Sequence, residues 1–209
     1  MPSDRPPVPA LVVRTTSWLA DRPVVGAALC VAGALLVGLL DAALSGREPL
    51  LVTAVLDEPA HLLTAGLLLA AVLPGRARAV VPWALAGAVL IDLDHLPFYL
   101  WGALSTEGAG RPVTHSLATA AALAAAAAVV ASRHLRTALS GFALGVGLHL
   151  VRDLATGPGV PLWWPVEDDG VLVPYSWYVL VLGVATAVAA GRQLSRSRAR
   201  SRPSSRSVQ

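Results

Sequence analysis

Four short stretches of the chain gather carboxylates and imidazoles inside or beside segments that are otherwise apolar. They are Asp57-Glu58-Pro59-Ala60-His61, Asp92-Leu93-Asp94-His95, Arg111-Pro112-Val113-Thr114-His115-Ser116 and His149-Leu150-Val151-Arg152-Asp153. A fifth stretch, rich in Gly and Pro, follows the last of these through Trp164-Pro165. Ionisable side chains are costly in hydrocarbon, so a set of them there marks function. Imidazole with carboxylate is the ligand chemistry of zinc and related ions.

The spacing within each stretch says which side chains can act together. His149 and Asp153 are four apart and share a helix face. They can hold one ion between them, or Asp153 can orient the imidazole; the structural alternative pairs Asp153 with Arg152 at the helix end. Asp92 and His95 are three apart and also share a face, whereas Asp94 points elsewhere on a regular helix. Pro97 disturbs the turn before it, and a break there would aim both carboxylates at one cavity. Like charges resist joint ionisation, so two carboxylates in a span call for a cation. His61 lies on the face of Asp57. Asp57 itself suits a helix N-terminus, and Glu58 is a candidate general base. Thr114 reads as an N-cap, with His115 a fourth imidazole. Arg111 reads equally as a holder of an anionic group and as a loop arginine near headgroups. His134 falls at the opposite, cytoplasmic level and is left out.

These residues need long apolar helices to carry them. The chain has 209 residues, of which 55% are hydrophobic and only 14% charged, and its mean hydropathy is +0.63. Soluble domains carry roughly a quarter charged residues. A spanning helix needs about 20 apolar residues, and six spans are predicted: 24–44, 58–73, 79–104, 116–131, 137–155 and 171–190. The fold expected is therefore all-α, a polytopic membrane helical bundle of about six transmembrane helices. Residues 1–23 form a cytoplasmic N-terminal segment, 24–190 the membrane domain, and 191–209 a disordered Arg/Ser-rich cytoplasmic tail. All sixteen basic residues are arginine. With both termini cytoplasmic, thirteen of them lie inside and only Arg47 and Arg111 in outer loops, as the positive-inside rule requires. This orientation brings all four clusters to one level near the extracytoplasmic surface. The pI near 9.7 comes from the tail and short loops, so nucleic acid is not an expected partner. Cys30 stands alone and makes no intrachain disulfide. Tyr99, Trp101, Trp163, Trp164, Tyr175, Trp177 and Tyr178 gather at the outer boundary as an aromatic belt, or the 156–174 loop closes a lid over the cavity.

The order of motifs resembles the YdjM-like inner-membrane proteins, also called membrane-bound metal-dependent hydrolases. His61, Ile91-Asp92-Leu93-Asp94-His95, Arg111 to Ser116, His149 to Asp153 and Gly159-Val160-Pro161-Leu162-Trp163-Trp164-Pro165 carry the likeness, over roughly residues 55–166. The family's H-R-G-x-T-H-S departs here to Gly110-Arg111-Pro112-Val113-Thr114-His115-Ser116, without the first histidine. A more distant analogy is the helical zinc-dependent phospholipase C family. Lipid-phosphate phosphatases share an Arg-Pro and a final His-x-x-x-Asp, but their lysine and P-S-G-H stretch are missing here. The resemblance implies a membrane-embedded hydrolase in which His61, Asp92, Asp94, His95, His115, His149 and Asp153 hold one or two divalent ions, zinc first. Glu58, Arg111 and Arg152 are then the candidate catalytic residues, and a phosphoester or phospholipid-like headgroup is the expected substrate. A metal or proton transporter and a non-catalytic, metal-stabilised membrane protein are the alternatives.

Overall fold

The computed structural model describes residues 22–46, 50–102, 106 and 109–200. Most of the N-terminal segment, Arg47 and the end of the tail lie outside these residues. The protein is about 76% helical, with no strand among the described residues. Its helices are α1 (Pro23–Leu44), α2 (Leu50–Val72), α3 (Val81–Leu90), α4 (His95–Trp101), α5 (Leu117–Val129), α6 (Arg133–Asp153) and α7 (Tyr175–Arg200). Tight 3-10 turns at Gly75–Val80 and Ile91–Asp94 flank α3, so the third span is one path of Ala77–Trp101 in pieces. That path, Pro23–Leu44, Val55–Val72 and Tyr175–Ser195 are each long and apolar enough to cross a membrane. α5 and α6 complete an all-α membrane bundle. At 1.5 Å per residue α5 reaches only about 20 Å, less than the roughly 30 Å hydrocarbon core.

The helices are greasy on their outer surfaces as well as within. Leu29, Leu35 and Leu39 of α1 and Val179, Leu180 and Val184 of α7 are exposed, as suits helices solvated by lipid. Val37, Leu67, Tyr178 and Leu182 form a buried cluster that joins α1, α2 and α7, and Thr64 Oγ1 meets the Tyr178 hydroxyl at 2.7 Å within it.

The second half of the bundle is built on glycine. Gly87 of α3 and Gly141 and Gly145 of α6 sit where the two backbones touch. A Cβ on Gly87 would lie 2.5 Å from the Phe142 carbonyl oxygen, one on Gly141 2.5 Å from Trp83 Cβ, and one on Gly145 would fall onto the Ala84 carbonyl. In lipid, small residues permit this approach, and dispersion across the contact holds it. The close packing has a consequence one turn on: His149 Nδ1 reaches the Ala88 carbonyl at 2.8 Å. Gly145→Val is expected to force the backbones apart and to cost about 2–3 kcal/mol, read as a lower midpoint of thermal unfolding in detergent. An unchanged midpoint would contradict the close approach.

Three boundaries differ from the sequence reading. α2 begins at Leu50, so Asp57 lies two turns inside the helix rather than at its start; the apolar run Leu50-Leu51-Val52 propagates the helix upstream of it. The N-cap of α5 is Ser116, whose Oγ accepts from the Thr119 amide at 3.4 Å; Thr114 is drawn elsewhere. α7 continues as helix past Gly191 to Arg200. Ser195 donates to the Gly191 carbonyl at 2.8 Å, and Arg192 donates to the Ala70 and Ala71 carbonyls near the end of α2, where a cation suits the helix dipole.

Candidate metal centre

The 3-10 turn at Ile91–Asp94 decides how the third span presents its acids. An α-helix would turn Asp92 and Asp94 some 200° apart, but the tighter winding between α3 and α4 brings both to His115. His115 lies between them: its Nε2 is 3.0 Å from Asp92 Oδ1 and its Nδ1 3.1 Å from Asp94 Oδ2. The Thr114 hydroxyl donates to Asp94 Oδ2 as well. His115, in the loop before α5, is fully buried. Burial disfavours its charge, yet the Asp92 and Asp94 carboxylates outweigh that and raise its pKa above the ordinary histidine value.

α6 supplies the opposite wall. His149 Nε2 stands 3.0 Å from Asp153 Oδ2, one helical turn on, and 3.5 Å from Asp92 Oδ1. Asp153 Oδ2 lies 3.6 Å from His115 Nε2. Asp92 Oδ1, His115 Nε2, Asp153 Oδ2 and His149 Nε2 thus form a closed ring of four donors with sides of 3.0–3.6 Å. Ligand atoms about 2.0–2.1 Å from a tetrahedral zinc stand roughly 3.3 Å apart, so each neighbouring pair in this ring has the spacing of two ligands on one ion; the sets whose ligand atoms all lie within 4.8 Å of one another include Asp92, Asp94, His95 and His115, and His61, His149 and Asp153. The hydrogen bond from His149 Nδ1 to the Ala88 carbonyl fixes which nitrogen of His149 faces the ring, while Asp94 lies 3.1 Å from His115 Nδ1.

The other predicted ligands flank this ring. His95 Nδ1 is 3.3 Å from Asp92 Oδ1 and 3.1 Å from Asp94 Oδ1. With Asp92, Asp94 and His115 it makes one group whose ligand atoms all lie within 4.8 Å of one another. His61 stacks on His149 with ring centroids 3.7 Å apart, and its Nε2 is 3.3 Å from Asp153 Oδ1 and 3.4 Å from Asp57 Oδ2. All seven residues therefore converge. His134 instead packs edge-on to Trp83, near the other end of α6.

Several atoms here suit a cation better than each other. His61 Nδ1, His95 Nδ1, His115 Nδ1, Asp94 Oδ1 and Asp153 Oδ1 are buried without an aligned hydrogen-bond partner. Four of them, all but His61 Nδ1, lie 3.1–3.3 Å from an imidazole nitrogen or carboxylate oxygen of a neighbour, so proximity is met while direction is not. The charges tell the same story. Among the described residues, Asp41, Asp57, Asp92, Asp94 and Asp153 lie with two guanidinium groups, those of Arg111 and Arg152. Five carboxylates against two guanidinium groups leave an excess of acid. Buried charge of one sign demands compensation, and one or two divalent ions would supply two to four positive charges. The donor set fits a metal.

A cavity of about 680 Å³ adjoins the ring, with Glu58, Asp92, His95 and Arg111 in its wall. Arg111 donates from Nη1 to Asp153 Oδ2 at 2.5 Å, while its Nε is buried and unpartnered. Gly157, at φ +72°, lets the guanidinium lie against the 156–158 turn, because a Cβ there would be 2.5 Å from Nη2. Thr156, Gly157 and Pro158 line the cavity, whereas Trp163 and Trp164 do not. The loop thus walls the site with its first three residues and shows its tryptophans outward.

A model of the YdjM inner membrane protein family matches residues 56–204. The chain belongs to that family. Comparison with curated proteins and with solved structures gives no match. The stretch matched in this YdjM-family protein contains every ligand and catalytic candidate read from the sequence.

Two placements add to the sequence reading, at the arginine and among the aromatics. Arg152, expected to hold an anionic group, is 1% exposed and fully engaged. It donates to Asp41 Oδ1 from Nε at 3.2 Å and from Nη2 at 2.7 Å, to Asp57, and to His61 Nε2 at 3.0 Å. Tyr175, expected in an aromatic belt, donates to Asp41 Oδ2 at 2.8 Å. Asp41 is the residue at this centre that the sequence reading missed. One acid near the end of an apolar run carries no motif.

Proposed function

We propose that this YdjM-family protein is a membrane-embedded, metal-dependent hydrolase of a phosphoester or lipid headgroup, with its site at the extracytoplasmic face and both termini in the cytoplasm. The observation that carries this reading is the four-donor ring of Asp92, His115, His149 and Asp153 beside a cavity that holds both an acid and an arginine. Orientation rests on the arginine distribution.

When bound, a divalent ion supplies Lewis acidity and lowers the pKa of water toward neutrality. The remaining work falls to side chains. Glu58 lies beside Asp92 in the cavity wall, with Oε2 lacking a partner, and is placed to accept a proton from the attacking water. Arg111 lines the cavity, and a guanidinium there can hold a phosphoryl oxygen. The Ala88 carbonyl keeps the His149 imidazole in the tautomer and direction that ligation needs, and Asp94 lies beside His115. The low-polarity bundle around them strengthens each of these interactions.

The test is metal analysis of the full chain purified in detergent, together with hydrolysis of bis-p-nitrophenyl phosphate and of phospholipid vesicles. The expected result is at least one equivalent of zinc or a similar ion, chelator-sensitive stability and chelator-sensitive turnover. A metal-free preparation whose melting is indifferent to chelator would sink the proposal. Ion flux into liposomes without hydrolysis would favour transport instead.

A further inference from the structure

The first span lies outside the family match, yet it touches the centre. α1 ends three residues after Asp41, and the Asp41 carboxylate is only 6% exposed. Its Oδ1 accepts two bonds from Arg152, and its Oδ2 accepts one from Tyr175. With Nε and Nη2 held there, Arg152 turns Nη1 toward Asp57 and toward Nε2 of His61. His61 is thereby fixed flat against His149, whose Nε2 belongs to the donor ring. α1 packs on α2 and α7, so this relay ties the first and last spans to the ring.

We infer that Asp41 is a positioning residue for the ion, acting through Arg152 and His61. The inference rests on the metal reading above. In this arrangement a guanidinium N–H points at His61 Nε2, so His61 braces His149 at the margin of the donor set. Without Asp41, Arg152 loses the two bonds that aim it. His61 is then free to turn toward Asp153, which it already approaches to 3.3 Å, and to alter the number of nitrogen ligands. Groups that orient metal ligands typically change affinity by about 10- to 100-fold when removed. Asp41 acts one step further out, so about tenfold is expected.

The experiment loads the full chain in detergent with Co2+, measuring affinity and the visible absorption bands, which report ligand number and geometry. Asp41→Ala is expected to weaken Co2+ binding about tenfold and to shift the bands, with Asp41→Glu restoring both. Tyr175→Phe removes one bond to the same carboxylate and should move both readouts in the same direction by less. Should Asp41→Ala fail to fold, Asp41→Asn is judged by the same criteria. Wild-type affinity and bands in the folded variants would overturn the inference while leaving the metal reading intact. Absence of Co2+ binding by the wild-type chain would overturn both.

Discussion

Asp153→Asn is expected to lower divalent-ion affinity by at least about a hundredfold and to take hydrolysis to background. Asp153 is the most heavily shared atom set in the centre. Its Oδ2 is 3.0 Å from His149 Nε2 and 3.6 Å from His115 Nε2, and its Oδ1 is 3.3 Å from His61 Nε2. The side chain is wholly buried, so no water can take its place at small cost. An amide keeps the shape but loses the charge, and it turns two N–H donors toward a position meant for a cation. A hundredfold is about 2.7 kcal/mol, modest for a charged ligand in a dry site. Arg111 loses its 2.5 Å partner in the same change, so some loss of stability should accompany the loss of metal. Retained metal after dialysis, measured by elemental analysis on folded variant, is the deciding quantity. Equal retention by the variant and the wild type would remove Asp153 from the ligand set. Glu167→Gln, on an exposed loop, serves as the control that should change nothing.

The parts of this centre legible in the sequence are those encoded by local spacing. His149 and Asp153, four apart, met on one face as helix geometry demands. Pro97 signalled a break, and the turn at Ile91–Asp94 did bring Asp92 and Asp94 together, a few residues before the proline itself. Four of the six predicted spans were legible as long apolar runs, which have few alternatives. What stayed hidden depends on contacts between elements far apart in the chain. Asp41 and Arg152 are 111 positions apart, and nothing local marks Asp41 as their meeting point. Tyr175 sits where an interfacial tyrosine would sit anyway, so its bond to Asp41 has no compositional signature. Thr114 looked like an N-cap because it precedes an apolar helix, but Ser116 was two residues nearer and Asp94 offered Thr114 a charged acceptor. The glycines of α3 and α6 are ordinary in sequence; only the facing backbones reveal why Gly87, Gly141 and Gly145 have no side chain.

Arg152→Met separates two roles that one arginine in a polar cluster could have. If Arg152 held substrate, its loss would raise KM and leave the melting curve alone. The geometry requires the opposite. Its guanidinium is 1% exposed and joins Asp41 of α1 to Asp57 and His61 of α2, so its removal strands two carboxylates in the bundle. Breaking a buried ion pair from one side costs about 3–5 kcal/mol, because the surviving charge has neither partner nor water. The expected outcome is a large drop in the thermal midpoint in detergent, with lost activity tracking the folded fraction. Methionine is chosen because it fills much of the arginine stem's volume, which keeps cavity formation from dominating the result. The complementary variant sharpens the case. Adding Asp41→Leu and Asp57→Leu to Arg152→Met removes the stranded charges and should recover most of the stability, since apolar residues of similar volume replace buried ion pairs at little cost. That triple variant should still bind Co2+ weakly, because His61 has lost the group that aims it. Stability that fails to return would mean that the arginine stem, rather than the charges it joins, holds the first span in place.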